Sequence, residues 1–163
     1  MLWSVTCRAQ TGVPPKREFR GAWIQTVNGF FKGMPRDQMQ ATLTRYLDAF
    51  KRYGLNTVMF QVRCEADAFY KSSYEPWSYY LTGQQGVAPN PIWDPLEWMV
   101  EQCHARGLEI HAWINPYRAK TAAQHDMAAN HPYNMWPDRF FQYRGQLLFD
   151  PGEPGNREYI CRV

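Results

Sequence analysis

The stretch Leu108-Glu109-Ile110-His111-Ala112-Trp113-Ile114-Asn115-Pro116-Tyr117-Arg118 decides the fold class. Read as a strand, it sends Ile110, Ala112 and Ile114 to one side and Glu109, His111, Trp113 and Asn115 to the other. A fully buried parallel strand is normally apolar on both faces. One aliphatic face and one chemically equipped face therefore predict a strand that carries a site at its C-terminal end.

Working outward, residues 94–106 read as a helix: Asp94 as N-cap, Pro95 at the first helical position, Glu97 as the reciprocal capping residue, and Leu96, Met99, Val100 and Cys103 on one face. Gly107 ends it. Residues 55–63 form an earlier strand, with Val58, Phe60 and Val62 on one side and Met59, Gln61 and Arg63 on the other. Before it, Met39, Leu43, Tyr46, Leu47 and Phe50 recur at helical spacing across residues 36–53, behind Pro35 and ahead of Gly54. Residues 20–27 give a first strand.

Strand, helix, strand, helix, strand is the order of consecutive right-handed βαβ units, so the class is α/β with a parallel sheet. Gln61, Arg63, His111 and Asn115 need a common polar interior, which favours a (β/α)8 barrel over a doubly wound sheet. No glycine-rich phosphate-binding motif follows the first strand. Links from helix to strand are short, while residues 64–93 and 116–146 form long loops rich in Tyr, Trp and Phe. Only the end at the strand C-termini is enlarged, and that is where such proteins build sites. A closed barrel takes about 250 residues, so this chain is expected to hold about three βα units, with a short extended piece at residues 146–149 and a third helix starting near Asn156. Such a portion should self-associate through its open edge.

Composition excludes several classes. A hydrophobic fraction of 45% fits a globular protein, and the net charge of +3 comes from scattered Lys and Arg, which argues against nucleic acid as a partner. No apolar run is long enough to cross a bilayer. Cys7, Cys64, Cys103 and Cys161 lack C-x-x-C spacing, and His104, His111, His125 and His131 lack metal-site spacing, so neither a metal nor a cofactor is expected. Aromatic residues make up 16% of the chain, and flat rings beside hydrogen-bonding groups suit a sugar as well as they suit loop packing. Residues 1–16 read as a leader, with small residues at Cys7 and Ala9 before a possible cut after Ala9. Export to the periplasm or cell envelope is the corresponding expectation.

Several blocks together resemble the glycosyl hydrolase-like family 10 group, exported bacterial proteins with a TIM-barrel domain. They are Arg20-Gly21-Ala22-Trp23-Ile24, Phe60-Gln61-Val62-Arg63, Asp67-Ala68-Phe69-Tyr70-Lys71-Ser72, Glu75-Pro76-Trp77-Ser78, Asp94-Pro95-Leu96, the opening stretch through Arg118, and Asp150-Pro151-Gly152. The resemblance covers residues 17–163 and implies glycoside hydrolysis, with peptidoglycan strands lacking stem peptides as the substrate class. It also implies later strands, one with an acidic block, that this chain does not contain. Cys64 stands where the family pattern has Pro.

Glycoside hydrolysis usually needs two carboxyl groups. Glu65, Asp67, Glu75, Asp150 and Glu153 are available, and Asp67 is the catalytic candidate, with loop organisation or pairing with Arg63 as its alternative role. Gln61, Arg63, His111, Trp113, Asn115 and Arg118 are the substrate-binding candidates, able to hold hydroxyls, an acidic substituent or a ring face. Trp23 is assigned to filling the interior, Glu109 to stability, and Trp77, Tyr79 and Tyr80 to loop packing. A carbohydrate-binding protein without catalysis would use the same groups.

Overall fold

A computed structural model of the protein describes residues 18–163 except residue 124. The proposed leader and its cut after Ala9 lie outside the described residues. Strands β1 (Gly21–Ile24), β2 (Thr57–Arg63) and β3 (Glu109–Ile114) form a parallel sheet in that order. Helix α1 (Arg36–Arg52) links β1 to β2, and a short helix α2 (Tyr79–Thr82) and then α3 (Pro95–Ala105) lie between β2 and β3.

The alternation read from the sequence sets which face the helices cover. Ile24, Val58, Phe60 and Val62 pack with Met39, Leu43 and Leu47 of α1 and with Met99 and Cys103 of α3, forming the principal core. Tyr46, expected on that stripe, is 37% exposed, and Thr42 is buried on α1 instead. Asp94 caps α3, accepting from the N–H groups of Leu96 at 2.9 Å and Glu97 at 3.1 Å. Glu97 thus contributes its backbone rather than a returning carboxylate. The other Asp94 oxygen accepts from Lys71 N at 2.8 Å and ties the long loop to the helix.

On the opposite face, Gly21 and Trp23 of β1 neighbour Met59 of β2, which neighbours His111 of β3. A Cβ at Gly21 would lie 2.9 Å from both Met59 Cε and Phe19 Cε1, so a larger residue there would have to displace those two side-chain ends. Trp23 was expected to fill an interior, yet it is 62% exposed; it meets Trp113 edge-on at 4.8 Å. His111 also stands in solvent, beside Phe19 and 3.9 Å from Glu109. Strand β3 is an edge of its sheet, and its inward face is open rather than enclosed.

The segment after β3 holds more regular structure than the long loop and single extended piece expected from the sequence. Strands β4 (Arg118–Lys120), β5 (Phe140–Tyr143) and β6 (Gln146–Phe149) form an antiparallel sheet in the order β4-β6-β5, with a short helix α4 (Pro132–Met135) and a 3-10 turn (Pro137–Arg139) between β4 and β5. Arg144 and Gly145 both have positive φ, 49° and 77°, as a two-residue type I′ hairpin requires. The extended piece expected at residues 146–149 is the central strand of this sheet. Helix α5 (Pro154–Arg162) packs Tyr159 against Phe149 in a second core with Ala66, Ala119 and Leu147.

Candidate functional site

Three side chains from the sheet converge at the C-terminal ends of its strands. Gln61 is fully buried; its Oε1 accepts from the N–H groups of Thr26 at 2.9 Å and Val27 at 3.0 Å, and its Nε2 donates to Asn115 Oδ1 at 2.8 Å. One amide thus joins the segment after β1, the body of β2 and the exit of β3. Beside it Arg63 is equally enclosed. Its Nε and Nη2 donate to the two carboxylate oxygens of Glu75 at 2.7 and 2.5 Å, and its Nη1 donates to the carbonyls of Asn115 at 2.6 Å and Pro116 at 3.0 Å. The sequence offered Asp67 as the ion-pair partner of Arg63; the partner is Glu75, twelve residues along the loop.

The second sheet closes over this pair. Phe149 places its ring 5.7 Å from the Arg63 guanidinium carbon, and Tyr159 donates its hydroxyl to Glu75 Oε1 at 3.3 Å. Burial raises the Glu75 carboxyl above the ordinary carboxylate range, and Arg63 opposes that rise. Tyr159, buried beside Glu75, is also pushed upward.

Asp67 is enclosed completely. Its carboxyl accepts from Glu65 N at 3.1 Å, Tyr79 N at 3.0 Å and Gln85 Nε2 at 3.1 Å. Burial pushes its pKa up, the Gln85 hydrogen bond draws it back, and the neighbouring Glu65 charge adds to the rise. A carboxyl held by three internal donors organises its loop, and it reaches a sugar only if that loop opens. Glu65, also buried, accepts from Thr121 N, from the Tyr80 hydroxyl at 3.3 Å and from His125 Nε2 at 2.7 Å. Burial pushes the Tyr80 hydroxyl up to about 12. Among the remaining carboxyl candidates, Asp150 accepts from Gly152 N and Glu153 caps α5 through Gly155 N.

The Glu65–His125 contact escaped sequence reasoning because a 60-residue separation and a lone histidine give no spacing signal. His125 stacks on Tyr79 at 4.0 Å with the rings nearly parallel, and the two residues wall a hollow of about 770 Å³ that Gln85, Gly86, Met127 and Asn130 also line. His131 is structural: Nε2 faces the carbonyls of Glu65 and Ala119, each at 3.1 Å, and Nδ1 accepts from Tyr133 N. Burial lowers its pKa, so the neutral ring is favoured. Cys64 lies 3.0 Å from Thr26 Oγ1, and burial with the nearby Asp67 charge drives its thiol far upward, away from nucleophilic use. Arg118 donates from Nε to Cys64 O at 2.9 Å. Of the named candidates, Gln61, Arg63, Asn115 and Arg118 therefore gather at the strand ends, while His111 and Trp113 lie along the open sheet face. No group of three His, Cys, Asp or Glu suited to a metal occurs among the described residues.

A parallel sheet with helices on one face and polar groups gathered at its carboxyl ends defines an α/β protein, and in such folds sites are built at that end. The chain belongs to the glycosyl hydrolase-like 10 family, whose model matches residues 18–163. It is 39% identical over 152 residues to the glycosyl hydrolase YngK of Bacillus subtilis, covering 90% of this chain and 29% of that protein. To the glycosyl hydrolase DigH of Escherichia coli K12 it is 39% identical over 173 aligned residues, covering 88% of this chain and 37% of the relative. The chain thus spans about a third of the length of these curated relatives. Its fold is similar to that of a noncanonic maltogenic alpha-amylase, AmyB from Thermotoga neapolitana, with a TM-score of 0.51 at 12% identity over 88% of this chain and 35% of that one. No described helix is long and apolar enough to cross a membrane.

Proposed function

We propose that the chain is the N-terminal portion of a (β/α)8 barrel that hydrolyses glycosidic bonds in a bacterial glycan, with peptidoglycan strands lacking stem peptides as the substrate. The observation that carries this reading is the convergence of Gln61, Arg63 and Asn115 at the carboxyl ends of neighbouring parallel strands, beneath two aromatic loops. In this reading those residues shape the cleft floor, and Arg118, His111 and Trp113 face the glycan. Asp67 serves as the candidate carboxyl, its raised pKa suiting a proton donor once its loop opens. The reading sets the protein in the cell envelope, where that glycan is found.

A second reading is a carbohydrate-binding protein without catalysis. It is favoured by one observation: Glu65, Asp67 and Glu75 are all buried and each is engaged by internal donors. Incubating the protein with peptidoglycan strands freed of stem peptides separates the two. New reducing ends, lost in Asp67→Asn, are the expected result. Retention of the strands without cleavage favours the binding protein, and neither cleavage nor retention overturns both.

A further inference from the structure

The strand ends fix the orientation of one amide whose outer end no internal group uses. Backbone N–H groups can only donate, so the Gln61 atom that meets those of Thr26 at 2.9 Å and Val27 at 3.0 Å is its oxygen. Its nitrogen is thereby turned toward Asn115 at 2.8 Å, and the Asn115 atom that receives it is Oδ1. Neither amide can be reversed without setting N–H against N–H. Asn115 Nδ2 is left on the far side from Gln61, with no hydrogen-bond partner among the described residues.

The residue is also held by its main chain. Asn115 N donates to Arg63 O at 3.0 Å, and its carbonyl accepts from Arg63 Nη1 at 2.6 Å. Arg118 Nη2 and Asn156 Oδ1 are the enclosed side-chain atoms without a partner among the described residues; Asn115 Nδ2 is not one of them, the residue is only partly buried, and solvent reaches that nitrogen. It stands at the end of the open sheet face, two residues past the half-buried Trp113, which lies opposite Gln61 in the β2–β3 register. The arrangement is a ring face beside a fixed pair of N–H donors with no acceptor.

A sugar hydroxyl both donates and accepts, so it would be met by either end of an amide. An acetamido carbonyl accepts only, and an ammonium donates only. We infer that Asn115 reads the acetamido carbonyl of a sugar packed on Trp113, and that Gln61 is the positioning residue that keeps the Asn115 N–H groups outward. This rests on the glycan reading above and deepens it, by assigning one substituent of the sugar to one atom of the protein.

The test is isothermal titration with peptidoglycan strands freed of stem peptides, and with the same strands after their acetamido groups are hydrolysed to amines, at about pH 6 where amines are protonated. A net charge of +3 disfavours an amine strand wherever it binds, so the preference is read against Asn115→Ala. Wild type is expected to favour the acetylated strands about three- to tenfold more than Asn115→Ala does, the equivalent of one hydrogen bond. Asn115→Asp keeps the bond from Gln61 and turns an acceptor outward without changing the shape of the side chain, so it should favour the amine strands. Gln61→Leu lets Asn115 turn either end outward, and its preference should fall to that of Asn115→Ala. Equal preference in wild type and Asn115→Ala, or preference for the acetylated strands kept in Asn115→Asp or Gln61→Leu, overturns this inference alone. Binding of neither strand by the wild type overturns the glycan reading and this inference with it.

Discussion

Glu75→Gln tests the central element of the strand-end network. Arg63 and Glu75 have side chains only 1% and 0% exposed, so solvent cannot replace a lost partner. Glutamine keeps one oxygen for either Nε or Nη2 of Arg63, and its amide then points N–H toward N–H at the other. The charge is lost as well, leaving a buried guanidinium held by one amide oxygen and the carbonyls of Asn115 and Pro116, with no counter-charge. Removing one member of a buried ion pair costs about 3–5 kcal/mol. Two charge-assisted hydrogen bonds at about 1.5–3 kcal/mol each give the same order. For a chain of this length that corresponds to a fall in Tm of roughly 10 °C or more. Urea unfolding followed by far-UV circular dichroism reads it as a lower midpoint at unchanged slope. The double variant Arg63→Met with Glu75→Leu should be less destabilised than the sum of its singles, since it removes both charges together. It still leaves two loop carbonyls without their donor, so it should not regain wild-type stability. A Glu75→Gln protein within about 1 kcal/mol of wild type would refute this account, because an unpaired buried charge should cost several times that.

Gln61→Leu strands the N–H groups of Thr26 and Val27 and frees Asn115, and should destabilise by about 2–4 kcal/mol, whereas Gln61→Glu keeps both acceptor contacts and should cost less; urea midpoints decide. His131 sets a pH dependence. Its folded pKa is lowered, so below about 6.5 the unfolded chain takes up a proton that the folded ring resists, and stability present above that pH is lost as pH falls through it. The stability difference between wild type and His131→Gln should therefore narrow between about pH 7 and about pH 5.5, and a constant difference would contradict the neutral buried ring. Trp23, 62% exposed, meets the half-buried Trp113 edge-on on an open sheet face, so the protein should self-associate with rising concentration, and Trp23→Ser should weaken this in light scattering; a concentration-independent monomer in both would remove the open face as its cause.

What was legible in the sequence, and what was not, follows the range of the interactions. The parallel sheet and the helices α1 and α3 were readable because periodicity, proline, glycine and the Asp94 cap act within a few residues. The polar strand ends were readable for the same reason, since alternation alone puts Gln61 and Arg63 on one side of β2. Which carboxylate meets Arg63 was not. Asp67 and Glu75 lie on the same loop, and the choice depends on how that loop folds back: Ala68 bridges to both Arg63 and Trp77, bringing Glu75 over the guanidinium and turning Asp67 toward Tyr79 and Gln85. The second sheet was hidden because its strands span only three or four residues each, too few for an alternation to register.

These missed features share a consequence for function. Because the loops fold back on themselves, Glu65, Asp67 and Glu75 are consumed by loop architecture, and Arg63 is consumed with them. Arg118 is held there by a neutral carbonyl, its Nε donating to Cys64 O at 2.9 Å. Gln61 and Arg63 then act as positioning residues, fixing the β3 exit at Asn115, so on the glycan reading Gln61→Leu should weaken binding of strands freed of stem peptides as well as lower stability.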